Sequence, residues 1–166
     1  MIKGSIVDIG GGGEGIIGRI YMAQVTAIDN RKDELDEAPG GFKKLVMDAS
    51  AMEFEDGSFD NAASFYTFMF IEKEKHEKVI QEAHRVLKKG GSFHIWDSRI
   101  KTADPFVVEL DIDASGERIH TTYGVYKDNA FQDENHFKLI CEKSGFVLEE
   151  GGSRGDQFYL RFFKRD

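Results

Sequence analysis

Cysteine is almost absent: Cys141 is the only one. An intramolecular disulfide and a cysteine-cluster metal centre are thereby excluded, and a reducing cytoplasm is the simplest setting. No run approaches the roughly 18 apolar residues of a membrane span, and the N-terminus has no apolar signal-like core. A membrane partner is not expected. Basic residues are outnumbered, with 22 Lys and Arg against 30 Asp and Glu, a net charge of −8. That argues against a generic nucleic-acid surface, which needs a basic stripe. The five histidines show no metal-ligand spacing such as His-Glu-x-x-His, so no metal site is expected.

The 166 residues, 40% hydrophobic and with two prolines, read as one globular domain over 1–166. A chain of this length buries roughly 70% of its unfolded surface, enough for one core. Elements alternate along it. Strands are expected at Ser5–Ile9, Val25–Asp29, Lys44–Met47, Asn61–Phe65 and Ser92–Trp96. Between them fall an apolar helix around Ile16–Tyr21, a short charged helix at Arg31–Ala38, and a long helix over about Glu72–Lys89. The long helix carries one apolar stripe, Val79, Ile80, Ala83, Val86 and Leu87. Lys88 and Lys89 suit its C-terminal dipole, and Gly90-Gly91 reads as its left-handed stop. Strands separated by helices imply a parallel sheet with right-handed crossovers.

After Asp97 the pattern changes. Phe106–Asp111 and Ile119–Val125 read as a β-hairpin around Ala114-Ser115-Gly116. It is either a lid over the C-terminal edge of the sheet or an extension of an edge strand. A helix over Gln132–Ser144 follows, then an antiparallel pair, Phe146–Glu149 and Gln157–Phe163, turning at Gly151-Gly152. The fold class is α/β: a Rossmann-like, doubly wound, mostly parallel sheet with an inserted hairpin.

The densest chemical signal is VDIGGGGEGIIGR, Val7 to Arg19. Gly10, Gly12 and Gly15 satisfy G-x-G-x-x-G between a strand and a helix, the pattern by which bare backbone approaches a nucleotide-like ligand. On its own it also suits a nicotinamide dehydrogenase, or a tight turn without a ligand. Asp29 ends the second strand, where an acid can accept both hydroxyls of a ribose. The third strand runs into Asp48-Ala49, and MEFEDGSFD (Met52–Asp60) leads into the fourth. EAHRVLKKGGSFHIWD (Glu82–Asp97) joins the long helix to the fifth.

At these four motifs the chain resembles the class I S-adenosylmethionine-dependent methyltransferases, in particular the small type 11 methyltransferase domain. The resemblance covers about Ile6 to Trp96. It implies a seven-stranded sheet with an antiparallel last strand, S-adenosylmethionine as cofactor and S-adenosylhomocysteine as product. It places Asp8, Gly10, Gly11 and Gly12 around the methionine part of the cofactor. Asp29 would hold the ribose hydroxyls, and Asp48 with Ala49 the adenine. Ser64 to Tyr66 would lie beside the transferred methyl. One departure stands out: the family loop runs acid-x-Gly-x-Gly-x-Gly, and here its third glycine position is Glu14, flanked by Gly13 and Gly15. Which of Gly12, Gly13 and Gly15 approaches the ligand is thereby left open.

Methyl transfer from a sulfonium rests mainly on positioning, worth on the order of 7–11 kcal/mol. A general base is needed only when the acceptor must lose a proton. By position, Tyr66, His76, Asp97, Tyr123 and Tyr126 are candidates, with Tyr66 and His76 foremost. His76 lies in the charge run Glu72–Glu77, which reads as a solvated helix start, and Tyr66 in the aromatic stretch Phe65–Phe70, which reads as wall or core. Family members usually carry helices before the first strand that roof the acceptor site. The expectation is an open acceptor pocket, or one roofed by the 100–130 segment or by a second subunit in a homodimer. The acceptor itself is expected to be a small molecule. Two other readings stand beside methyl transfer: an NAD(P)-dependent oxidoreductase and a non-catalytic cofactor-binding subunit.

Overall fold

A computed structural model describes residues 1–101, 104–126 and 130–165. Five strands run parallel: β1 (Ile6–Ile9), β2 (Val25–Asp29), β3 (Lys43–Val46), β4 (Phe59–Phe65) and β5 (Leu87–Ser98). Two more, β8 (Phe146–Arg154) and β9 (Gln157–Lys164), complete a seven-stranded sheet of order β3-β2-β1-β4-β5-β9-β8. β9 is antiparallel to both of its neighbours. A separate two-stranded sheet is formed by β6 (Phe106–Ala114) and β7 (Glu117–Val125). Strand order reverses between β1 and β4, and crevices that take ligands open at such switch points, beyond the C-terminal strand ends.

Among the described residues, four α-helices cover the large sheet: α1 (Ile16–Tyr21), α2 (Lys32–Glu37), α3 (Lys73–Val86) and α4 (Glu134–Lys143). All four residues of β1 are buried, as a central parallel strand requires. Its side chains alternate between two cores. Val7 and Ile9 join Val79, Ile80 and Val86 of α3 and Phe137 of α4. Ile6 joins Ile17 of α1 and Leu35 of α2 on the opposite face. Burial of each such aliphatic side chain contributes about 1.5–3 kcal/mol.

The apolar stripe of α3 is where the sequence places it, but the helix stops at Val86 rather than Lys89. Leu87 is already extended and pairs with Phe59. Gly90 (φ +72°) therefore shapes an irregularity in β5, where the register to β4 shifts, instead of ending the helix. Gly91 is needed there, because a Cβ on it would lie 2.9 Å from the Asp60 carbonyl oxygen. The β8–β9 turn falls at Gly155 (φ +60°), and Gly151-Gly152 lie inside β8 opposite Leu160 and Tyr159.

Residues of the Met52–Asp60 and Glu82–Asp97 motifs lock together. Glu82 accepts the Met52 amide at 2.7 Å, and Arg85 donates to the carbonyls of Met52 (2.8 Å) and Phe54 (2.6 Å). Arg85 also pairs with Glu82 at 2.8 Å. This clamp fixes the 52–56 loop to α3 and so sets where β4 begins.

The β6–β7 hairpin closes through Ser115 and Gly116, both at positive φ (58° and 89°), the turn geometry that matches strand twist. It is a sheet of its own and extends no edge of the larger one. Val108, Leu110 and Val125 pack with Tyr66 and Met69. The hairpin therefore sits over the end of β4, as the lid alternative expects. Residues 102–103 and 127–129 of the expected 100–130 roof lie outside the described residues.

Candidate functional site

A cleft of about 930 Å³ opens along the C-terminal ends of the parallel strands. That is at the upper end of the roughly 300–1,000 Å³ typical of ligand pockets. The glycine loop forms its floor. Gly10 and Gly11 donate to the Ile28 carbonyl at 2.8 and 3.1 Å, which fastens the loop to β2. Gly13 donates to the Glu34 carbonyl at 2.9 Å, tying it to α2. A Cβ on Gly12 would lie 2.5 Å from Glu34 Cβ and 3.0 Å from Asp29 Oδ2. Gly15 (φ +56°) begins α1, and a Cβ there would press on Phe42 at 3.0 Å and Pro39 at 3.2 Å. Gly12 thus stands among the cleft acids, whereas Gly15 serves the packing of α1.

Three acids line the cleft at successive strand ends. Asp8 in β1 is buried, and its Oδ1 has no hydrogen-bond partner in the protein. Burial, and then the nearby Asp29 charge, push its carboxyl up to about 8. Asp29 accepts the Arg31 amide at 2.9 Å, which orients one of its oxygens. Asp48, just past β3, accepts both the amide and the hydroxyl of Ser50 at 2.8 Å through one oxygen. Those two bonds hold Asp48 below the ordinary carboxylate range. Ala49 lines the cleft beside it.

At the far wall stand Phe65, Tyr66 and Thr67. Ser64 is fully buried beneath them and is not part of the lining. Alternation along β4 puts its side chain on the opposite face of the sheet from Phe65. Thr67, which the sequence reading passed over, takes the position near the loop: its hydroxyl donates to the Ile9 carbonyl at 3.0 Å. Tyr66 adopts φ +51°, a left-handed conformation that a bulky residue rarely takes. Its ring stacks on Tyr123 of β7, with centroids 5.6 Å apart and planes at 21°. Burial raises both phenols above their ordinary range. Both therefore keep their protons at neutral pH, and neither is a ready base.

The other base candidates fall elsewhere. His76 is turned inward from its charged neighbours and is 2% exposed, so it is not a solvated helix start. Its Nδ1 lies 3.0 Å from Nε2 of His136, and its Nε2 lies 3.0 Å from the Phe68 carbonyl oxygen. It does not line the cleft and joins α3 to α4 instead. Asp97 is buried, accepts the Gln132 amide at 2.6 Å and lies outside the lining. Tyr126 is 76% exposed. Among the described residues, no group of three or more His, Cys, Asp or Glu could hold a metal ion.

Glu14 is the unforeseen member of the site. Its carboxylate accepts the Thr121 hydroxyl and, at 3.0 Å, the Tyr123 phenol. The residue that breaks the glycine pattern thus binds the hairpin.

Sheet order, glycine loop and strand-end acids define a Rossmann-like domain of the nucleoside-cofactor type. A family model described as a methyltransferase domain matches residues 7–95. The chain belongs to that family. It is 34% identical over 119 residues to the mitochondrial 2-methoxy-6-polyprenyl-1,4-benzoquinol methylase of Oryza sativa subsp. japonica, covering 62% of this chain and 38% of that protein. It is 34% identical over 103 residues to the sterol 4-C-methyltransferase strm-1 of Caenorhabditis elegans, covering 62% of this chain and 30% of that protein. The match thus spans about a third of the length of either relative. A solved structure of a SAM-dependent methyltransferase from Methanosarcina mazei superposes with a TM-score of 0.70 at 16% identity, covering 99% of this chain and 94% of that one. At that identity the likeness shows the fold. Among the described residues, no helix is long and apolar enough to cross a membrane.

Proposed function

We propose that this domain transfers the methyl group of S-adenosylmethionine to a small-molecule acceptor. The observation that carries the reading is the buried, unpartnered Asp8 oxygen under a glycine loop, with Asp29 and Asp48 along the same cleft. A buried acid without a partner is costly unless a ligand completes it. The cofactor's cationic methionine end suits Asp8. Asp29 would hold the ribose hydroxyls, and Asp48 with Ala49 would meet the adenine.

When bound, the cofactor supplies a methyl group on a sulfonium centre, open to in-line displacement. The chain's own part is geometry. The glycine loop and the three acids fix one partner of the displacement. Phe65, Tyr66 and Tyr123 wall the space for the other. The β6–β7 hairpin keeps bulk water from that wall. Aligning two reactants in this way is the largest contribution such a site makes. Among the expected bases, none is both in the cleft and able to take a proton at neutral pH, which suits an acceptor whose nucleophile already carries a free lone pair.

The cleft volume and the quinol and sterol named for the two relatives support a small acceptor. The packing of the β6–β7 hairpin on Tyr66 and Met69 supports a roof supplied by the chain itself, and this reading does not require a homodimer. The buried free thiol of Cys141 supports a cytoplasmic setting.

Incubation with methyl-labelled cofactor and a panel of small aromatic acceptors tests the reading. Label transfer is expected. Tight binding of S-adenosylhomocysteine with no transfer to any acceptor would favour a non-catalytic cofactor-binding domain.

A further inference from the structure

The hairpin is fastened to the cofactor loop at one residue. Glu14 lies between Gly13 and Gly15, the very loop that forms the cleft floor. Both of its carboxylate oxygens are engaged by β7, one by Thr121 and one by Tyr123. Arg19 of α1 reinforces the join. It donates to the Glu14 carbonyl at 2.7 Å and pairs with Glu117 of the hairpin at 2.8 Å. Charge-assisted bonds of this kind, half-shielded from solvent, are the stronger class of hydrogen bond.

The join determines what stands at the cleft mouth. With its hydroxyl held by Glu14, the Tyr123 ring lies flat against Tyr66. Phe70 meets Tyr123 edge-on at 6.4 Å, and Phe65 meets Tyr66 edge-on at 4.9 Å. The Tyr66 backbone is held in its left-handed conformation by the Tyr66 amide bond to the Trp96 carbonyl at 2.7 Å. The result is an aromatic wall with one saturated carboxylate behind it. Among the described residues, the three cations that line the cleft each face an acid: Arg19 faces Glu117, Arg31 faces Asp33, and Lys75 faces Glu72. Among those residues no cation at this mouth stands ready for an anionic group.

We infer that Glu14 is a positioning residue for the acceptor: its carboxylate fastens the hairpin across the cleft so that Tyr123 and Tyr66 present an aromatic wall to a flat acceptor lacking an anionic group. The inference rests on the reading of the cleft as a methyl-transfer site. It assigns the departure from the family's glycine pattern a task of its own, one that a glycine could not perform.

The test uses the intact chain with S-adenosylhomocysteine present and two probes, 2-naphthol and its anionic counterpart 2-naphthoate. Fluorescence of Trp96, the only tryptophan, reports binding through its contact with Phe65 at 6.2 Å. The wild type should bind 2-naphthol at least about tenfold more tightly than 2-naphthoate. Glu14→Ala should weaken 2-naphthol by about tenfold, the value of one lost hydrogen-bonded anchor, and S-adenosylhomocysteine by less than about threefold. Amide exchange over 106–125 should quicken in Glu14→Ala while β1 and β4 keep their protection. Glu14→Gln, which can still accept a hydrogen bond, should recover most of both effects. Equal losses for 2-naphthol and S-adenosylhomocysteine, unchanged exchange in the hairpin, or naphthoate binding as tightly as naphthol would each overturn the inference. Failure of the wild type to bind S-adenosylhomocysteine at all would instead strike the proposed function.

Discussion

The Thr67 side chain occupies the space that a Cβ on Gly10 would need. Thr67 is held there by its hydroxyl bond to the Ile9 carbonyl at 3.0 Å, and Gly10 itself sits at φ +73°. Gly10→Ala should therefore cost about 1–3 kcal/mol in folding stability and displace the loop from the cleft floor. Adding Thr67→Ser removes the methyl but leaves the equally close hydroxyl and the backbone strain, so it should restore only a small part of the loss. A urea double-mutant cycle reads the coupling. Strict additivity of the two changes would show that the contact does not hold the loop.

Asp8 makes stability depend on pH with a definite sign. Its ordinary value is 3.8, and the folded chain raises it to about 8. Between those values the folded state keeps a proton that the unfolded state has lost. The Asp8 contribution is thus complete below pH about 4 and is lost as pH rises through about 8. Asp8→Asn carries no such titration. The variant's melting temperature relative to the ligand-free wild type should climb steadily from pH 5 to pH 8. A constant or shrinking difference would show that Asp8 is ionised in the folded chain.

The clamp at Arg85 supports the fold and lies away from the cleft lining. Arg85→Ala removes donors to Met52 and Phe54 and leaves Glu82, with a side chain 11% exposed, without its guanidinium partner. A loss of about 2–4 kcal/mol in urea unfolding is expected. Affinity for S-adenosylhomocysteine, measured on the fraction that folds, should move by less than about threefold, since one hydrogen bond's worth of strain rarely reaches across a rigid sheet. A larger change in affinity would mean that the 52–56 loop shapes the cleft.

The parallel half of the fold is readable from the sequence because most of its strands are short apolar runs closed by an acid or a glycine, and helices separate all but the third and fourth. The boundary at 86–87 is not readable, because Leu87 continues the helical stripe and also suits a strand start. Pairing with Phe59 decides it. Gly151-Gly152 carry a stronger local turn signal than Gly155-Asp156, yet the partners offered by β9 draw β8 past them. Asp8, Asp29 and Asp48 could be picked out as cleft-lining acids because they stand at or near strand ends. Ser64 could not be told from Thr67 without knowing which side chains alternate into the sheet. Glu14 showed itself only as a broken pattern, since the residues that explain it, Thr121 and Tyr123, lie 107 and 109 positions away.

Calorimetric titration of the intact chain with S-adenosylhomocysteine, beside NADH and the Asp29→Ala variant, tests the central claim most directly. One site for S-adenosylhomocysteine is predicted, weakened about a hundredfold in Asp29→Ala by the loss of two charge-assisted hydrogen bonds, with no heat from NADH. Saturable NADH binding and none of the nucleoside ligand would contradict the account.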